Sequence, residues 1–246
     1  MSKLKKSLFY ILKIINKSAQ RIFLQKTKQE IAALEQAAAI VDCIFQKIKP
    51  LIKPGITEKK LLVLFEKECK KFKVKKAFDF IIASGPNSAV AHAIVSERKI
   101  QKEDLVVIDI GVIYKGYRSD MTRTLLMNPH NKKAKSLYQI VYQAQQEALN
   151  ALKAGVSCTQ LDAIARNYIK KYGFGDYFIH GLGHGVGLKI HEAPFVNQKN
   201  KSKLKKGMVI TIEPGIYLPG YGGVRIEDMV LVTQNGYQLL TKSPKE

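Results

Sequence analysis

An α+β protein built of two similar halves is what this 246-residue sequence predicts, and three observations carry the prediction. The segment IKPGITEKKL (52–61) returns as LKAGVSCTQL (152–161), and KKF (70–72) returns as KKY (170–172), both at an offset of one hundred. Residues 30–49 place Ile31, Leu34, Ala38, Val41 and Phe45 on one helical stripe. Two runs rich in branched apolar residues, 105–114 and 121–126, flank Lys115-Gly116 and predict a hairpin with a two-residue turn. The repeat alone has two readings: α+β halves about a pseudo-twofold axis with a site between them, or a coincidence of two similar helix hairpins.

Taken in order, residues 1–29 carry Lys3, Lys5, Lys6, Lys13, Lys17, Arg21, Lys26 and Lys28 and no acid. Leu4, Leu8, Ile11, Leu12, Ile15, Ala19, Ile22 and Phe23 follow helical spacing there, so the segment reads as a basic amphipathic extension. A signal peptide is a rival, but Lys13 interrupts the apolar run and no small-residue cleavage site follows. A helix laid against the rest of the protein or a partner subunit is the plainer reading, and attachment to a membrane surface the alternative. Residues 30–246 then form one unit. Each half reads as a long helix, a Gly-containing turn, a second helix capped by Thr57 or Ser157, and strands. Met208–Ile212 reads as a buried strand ending at Glu213-Pro214-Gly215, and Glu227 stands between Val224 and Ile226 on one side and Met229, Val230 and Leu231 on the other.

With 46% hydrophobic residues the chain can bury a substantial core and is not of the disordered class. No stretch reaches the roughly 18–20 apolar residues of a membrane span. Cys43, Cys69 and Cys158 are isolated, which excludes a zinc ribbon and a disulfide framework and fits a reducing cytoplasm. Of the net charge of +21, eight units lie in residues 1–29 and the rest are spread, with clusters at 67–76 and 199–206. No recognised nucleic-acid module accompanies them, so the expectation is weak contact with anionic surfaces and no specific nucleic-acid binding.

The chemistry begins with Asp109 and Asp120. Pairing Tyr114 with Tyr117 across the turn sets Asp109 opposite Thr122, and Asp120 shares the face of Thr122. The two acids are then diagonal neighbours about 7–8 Å apart at the backbone, able to converge on one or two cations. A surface hairpin with two solvated acids is the competing reading. His184, Glu213 and Glu227 sit in apolar or glycine-rich runs where an unpaired charge is costly. Two Asp, two Glu and one His suit Mn²⁺, Fe²⁺, Co²⁺ or Zn²⁺, and argue against copper or iron–sulfur chemistry. Gly181, Gly183, Gly185 and Gly187 alternate around His184, which predicts close backbone approach and unusual φ values. There is no G-x-S-x-G, no P-loop and no dinucleotide-binding unit, and HEAPF (191–195) is not a helical H-E-x-x-H motif.

SGPNSAVAH (84–92), VIDIGVIYKGYRSDMTRT (107–124), HGLGHGVGLKIHEAP (180–194) and TIEPGIYLPGYGGVRIEDMVLVT (211–233) resemble the creatinase/aminopeptidase (M24) catalytic domain. The likeness is closest to aminopeptidase P and Xaa-Pro dipeptidases and runs from about residue 30 to the C-terminus. It implies a pita-bread fold, two halves around a curved antiparallel sheet, and a hydrolase acting on N-terminal Xaa-Pro bonds of peptides through a hydroxide bridging two divalent metal ions, manganese first among them. The implied metal ligands are Asp109, Asp120, His184, Glu213 and Glu227, with Asp120 and Glu227 shared by both ions. Glu213 would also take the nucleophile's proton. By the same resemblance His92 and His191 contact substrate and serve the tetrahedral intermediate, His180 lines the pocket, and Tyr217 and Arg225 stand beside the ligands. Each of these histidines, taken singly, is equally a structural one; only His130 lies outside the motifs. With the histidines, Tyr217 and Arg225 are the implied substrate-binding residues; Arg225 has two readings, a supporting salt bridge or substrate contact, or a structural pairing with an acid.

The resemblance also implies an N-terminal domain for which residues 1–29 leave almost no room, so substrate length, proline preference and quaternary structure, a homodimer included, stay open. Two rival functions remain: a methionine aminopeptidase-like enzyme of the same fold, against which GGVRIED and HGLGHGVGL tell, and a binding protein without catalysis, against which the intact ligand set tells.

Overall fold

The computed structural model describes residues 24–246, so the basic extension expected for 1–29 lies, up to residue 23, outside the described residues. Helix α1 (Lys28–Ile48) begins two residues before the expected start at residue 30 because Thr27 and Glu30 close a capping box. Its stripe is buried as expected: Leu34, Ala38, Val41 and Phe45 are wholly inaccessible. Helix α2 (Glu58–Lys71) starts at Thr57, whose hydroxyl accepts from the Lys60 amide. Strands β1 (Lys75–Lys76), β2 (Ile81–Ser84), β3 (Leu105–Ile110), β4 (Val112–Tyr114), β5 (Tyr117–Arg118) and β6 (Met121–Leu126) complete the first half.

The second half repeats the plan with α3 (Lys132–Ala151) and α4 (Cys158–Lys171), the latter capped by Ser157 with Gln160. Its strands are β7 (Gly183–Gly185), β8 (Glu192–Val196), β9 (Val209–Ile212), β10 (Gly215–Leu218), β11 (Gly222–Arg225), β12 (Asp228–Val232) and β13 (Tyr237–Leu239). Sheet order is β2-β3-β6 in the first half and β13-β12-β9-β7-β8 in the second, with smaller sheets β1-β4-β5 and β10-β11. Every strand pair is antiparallel.

The internal repeat is structural and not a coincidence. Gly55 N donates to Ile100 O at 2.9 Å and Gly155 N to Leu204 O at 2.8 Å. Glu58 N and Lys59 N reach Arg98 O and Ser96 O, as Cys158 N and Thr159 N reach Ser202 O and Asn200 O. Isolated bridges Thr57 to Lys99 and Ser157 to Lys203 close the same corner twice. Both corners need a left-handed residue, and Gly55 (φ 95°) and Gly155 (φ 96°) provide it.

Each half has its own apolar core. The first packs Val41, Phe45, Leu61 and Phe65 of α1 and α2 on Ile82, Val106 and Ile108. The second packs Val141, Ala144, Leu161 and Ala165 of α3 and α4 on Ile210, Ile212 and Val230. Helix α1 joins the halves, since Leu34 and Ala38 also meet Val186, Val209 and Met229. With helices on the outer faces, the inner faces of the sheets are left to line a cavity. Among the described residues no helix is long and apolar enough to cross a membrane.

Candidate metal centre

The hairpin has the expected register, with Tyr114 opposite Tyr117 and Asp109 opposite Thr122. Lys115 (φ 48°) and Gly116 (φ 87°) are both left-handed, the signature of a two-residue I′ turn. The ladder is not continuous, however. It breaks at Gly111 and at Ser119-Asp120, where the Ser119 hydroxyl accepts from Val112 N at 2.9 Å. Asp120 therefore stands in a break before β6 and not within a strand, its amide donating to Met229 Sδ of β12.

His184, Glu213 and Glu227 come from the second half. His184 is the centre of β7, and its flanking glycines are there for proximity. A Cβ on Gly183 would lie 2.0 Å from Thr211 O, and one on Gly185 would lie 2.4 Å from Ala193 O. Neither these two nor Gly181 and Gly187 take a positive φ, so close approach is confirmed and unusual dihedrals are not. Glu213 and Glu227 both occupy breaks, between β9 and β10 and between β11 and β12. Glu213 N is tied to Leu182 O at 2.8 Å. Glu227 is held by Thr122 twice, through its amide to Thr122 O at 3.1 Å and through Oε2 from the Thr122 hydroxyl at 2.7 Å.

Ligand atoms of Asp120, His184 and Glu227 lie within 4.8 Å of one another, all buried. His184 Nε2 is 3.6 Å from Asp120 Oδ2 and 3.2 Å from Glu213 Oε1. Asp109 faces the same cavity. Its Oδ2 accepts from Arg225 Nη2 at 2.7 Å, while its Oδ1 is buried with no hydrogen-bond partner among the described residues. Arg225 thus combines both sequence readings: it pairs with an acid, and that acid is a candidate ligand.

The electrostatics are those of an anionic cluster only partly compensated by Arg225 and His184. Burial, then the neighbouring carboxylates with Glu227 foremost, pushes Asp120 well above the ordinary range. Burial and the charges of Glu213 and Asp109 do the same to Glu227. Asp109 is raised by burial in spite of Arg225. For Glu213 burial acts upward, but the hydrogen bond and charge of His184 outweigh it and bring the carboxyl down to about 2. His184 is raised in turn, Glu213 overcoming the opposite effect of burial. Four carboxylates, one of them with an orphaned buried oxygen, and one imidazole fit one or two hard divalent ions, whose charge would neutralise the repulsion.

The cavity has a volume of about 800 Å³ and is lined by all five of these residues together with His92, His180, His191, Tyr217 and Arg225. His180 Nδ1 donates to Gly181 O at 2.8 Å, so its Nε2 accepts from the Tyr217 hydroxyl, also at 2.8 Å. Tyr217 accepts in turn from Arg225 Nη1 at 2.8 Å. One hydrogen-bonded series therefore runs from Asp109 through Arg225 and Tyr217 to His180. Burial lowers the His180 pKa and pushes the Tyr217 hydroxyl up to about 12, so both are neutral at pH 7. His191 is exposed at the mouth and packs edge-on against His184, ring centroids 4.3 Å apart. His92, in the loop after β2, is exposed and lines the same cavity. Phe78, Ile94, Ile190 and Phe195 supply apolar wall.

Sequence reasoning missed the residues that hold this arrangement from behind. Glu58 is wholly buried and accepts from Ser84 N and Oγ, Asn87 Nδ2, and Ser96 N and Oγ, which pins both ends of the segment carrying His92. The repeat held a signal, because the equivalent position of the second half is Cys158. Arg123, 2% exposed, donates to Thr122 O and Glu227 O and pairs with Asp228.

The family model described as metallopeptidase family M24 matches residues 32–234. A protein of Pyrococcus furiosus named Xaa-Pro dipeptidase is 50% identical over 222 residues, 90% of this chain and 64% of the relative, so the chain spans a little under two thirds of that protein. The solved prolidase from Pyrococcus furiosus superimposes with a TM-score of 0.91 at 47% identity, covering 94% of this chain and 69% of that one. An X-Pro aminopeptidase from Thermotoga maritima gives 0.90 at 37% identity, covering 94% and 66%. The architecture is the pita-bread fold of these structures. With the anionic cluster, the two-half fold and these likenesses together, the chain belongs to metallopeptidase family M24.

Proposed function

We propose that residues 30–246 form the catalytic unit of a two-metal peptidase that hydrolyses N-terminal Xaa-Pro bonds, with Asp109, Asp120, His184, Glu213 and Glu227 as the metal ligands. The convergence of Asp120, His184 and Glu227 within 4.8 Å is the observation that carries the reading. Membership of a metallopeptidase family implies divalent ions, and manganese is the one proposed here. When bound, the ions supply Lewis-acid charge to the peptide carbonyl and lower the pKa of water.

The protein's own groups do the rest. Glu213 is, in this reading, the base that takes the attacking water's proton. His92 and His191 both line the cavity, and in this reading they hydrogen-bond the carbonyl oxygen and return a proton to the leaving nitrogen. An Xaa-Pro bond is a tertiary amide with no N–H, so its nitrogen asks for no acceptor, and an apolar wall of Phe78, Ile94, Ile190 and Phe195 suits the pyrrolidine ring. The Asp109–Arg225–Tyr217–His180 series fixes the inner wall and leaves His180 neutral. A cytoplasmic setting matches the unpaired, partly buried thiols.

The test is an assay of metal-stripped protein reconstituted with Mn²⁺, Co²⁺, Fe²⁺ or Zn²⁺ on Xaa-Pro dipeptides, longer Xaa-Pro peptides and Met-Ala peptides. Hydrolysis of the Xaa-Pro substrates is expected. Cleavage of Met-initiated peptides alone would overturn the specificity, and no hydrolysis with any ion would favour a binding protein.

A further inference from the structure

Gln145 lies in the middle of α3, fully buried, and does not line the cavity. Its Nε2 is 3.0 Å from Ile212 O, 3.2 Å from Ile226 O and 3.1 Å from Asp228 Oδ2. Ile212 immediately precedes Glu213, Ile226 immediately precedes Glu227, and Asp228 immediately follows it. The two N–H groups of this one amide are shared among the three oxygens, and they tie both glutamate-bearing segments at the point where each leaves one sheet for another.

The backbone chemistry explains why a donor is needed there. Ile226 N donates to Pro214 O at 3.4 Å, so these two residues face each other as an antiparallel pair. In such a pair the partner returns its own N–H to the first residue's carbonyl. Proline has none to return. The Ile226 carbonyl would be left as a buried orphan, at a cost of about 1–3 kcal/mol, had no other donor been brought to it. Gln145 brings one, and its nitrogen is anchored by Asp228, itself fixed by Arg123 and Lys245 at 2.7 Å each. We infer that Gln145 is a positioning residue, which sets the spacing of Glu213 and Glu227 by supplying the hydrogen bond that Pro214 cannot donate. The inference rests on the reading of these glutamates as metal ligands.

The experiment is a thermodynamic cycle on the full chain, with the wild type, Gln145→Met, Pro214→Ala and the double variant. Each is stripped of metal, titrated with Mn²⁺ by calorimetry, and melted in metal-free form. Gln145→Met is expected to weaken Mn²⁺ binding by about 10- to 100-fold, the range for groups that orient ligands from behind. Alanine at 214 restores a backbone donor, so the same substitution should cost about tenfold less in that background. Unchanged Mn²⁺ affinity in Gln145→Met with only a lower melting temperature, or an equal loss in both backgrounds, would overturn the inference. Should Gln145→Met fail to fold, recovery of folded, Mn²⁺-binding protein in the double variant supports it and failure of the double variant refutes it. Absence of Mn²⁺ binding by the wild type would instead refute the metal-centre reading.

Discussion

Replacing Asp120 with Asn should make the metal-free protein more stable while removing most of what metal adds. Asp120 and Glu227 present oxygens within 4.8 Å of each other in a buried site. At an effective dielectric constant near 20, two unit charges at that separation repel by about 3 kcal/mol. Part of this is already relieved, because both carboxyls are raised well above their ordinary values and hold protons more readily. A gain of about 1–2 kcal/mol at pH 8 is the resulting expectation, using the same repulsion discounted for protonation. The sign follows from linkage. Carboxyls whose folded pKa exceeds the unfolded one penalise folding fully above the folded pKa. The penalty fades as pH falls toward the unfolded values near 3.8 and 4.5, so the advantage of Asn should shrink as pH falls through that window. In the wild type, Mn²⁺ at a hundred times its dissociation constant should add about 2.7 kcal/mol, and in the variant far less. Urea unfolding at pH 8 and pH 5, with and without Mn²⁺, measures all of these. A destabilised metal-free variant at pH 8, or a metal-induced gain equal to that of the wild type, would refute the reasoning.

Glu213→Gln should leave the fold intact and reduce turnover about 10²- to 10⁴-fold, the usual contribution of a general base, as measured by steady-state kinetics with saturating metal. In metal-free protein the Glu213–His184 pair should stabilise most fully between about pH 4.5 and 6.5. Its contribution is lost on the acid side as Glu213 protonates toward 2 and on the alkaline side above the raised His184 pKa; Glu213→Gln should lower the His184 pKa seen by NMR titration. Arg225→Met removes the partner of buried Asp109 and should cost the metal-free protein about 3 kcal/mol in urea unfolding. Glu58→Gln leaves the Ser96 amide facing an NH₂ group, which should cost about 2 kcal/mol and raise hydrogen exchange across residues 84–96, read by mass spectrometry.

Much of the fold was legible because its signals are local. The Lys115-Gly116 turn needs left-handed residues, the Thr57 and Ser157 caps need a hydroxyl, and the α1 stripe follows helical period, so each announces itself in a few adjacent letters. The one-hundred-residue offset was legible too, although only the duplicated hydrogen bonds at Gly55 and Gly155 decided between its two readings. Asp109 and Asp120 stood out through their pairing across the hairpin, and His184, Glu213 and Glu227 because charge in an apolar or glycine-rich run requires a partner. What stayed hidden is long-range. That Asp120, Glu213 and Glu227 sit in strand breaks depends on how two sheets meet, and no window of sequence contains that. Gln145 and Glu58 act through partners 67 to 83 and 26 to 38 positions away, and Arg123, besides its neighbour Thr122, through partners 104 to 120 positions away; read alone they are ordinary helix or strand residues.

The two halves contribute unequally to the ligand cluster: Asp109 and Asp120 belong to the first, His184, Glu213 and Glu227 to the second. An ion held by Asp120 and Glu227 would therefore act as a removable cross-link between segments joined covalently only through more than a hundred intervening residues. Loading the centre would tie the halves together much as a disulfide ties distant loops, and withdrawing the ions would unfasten them.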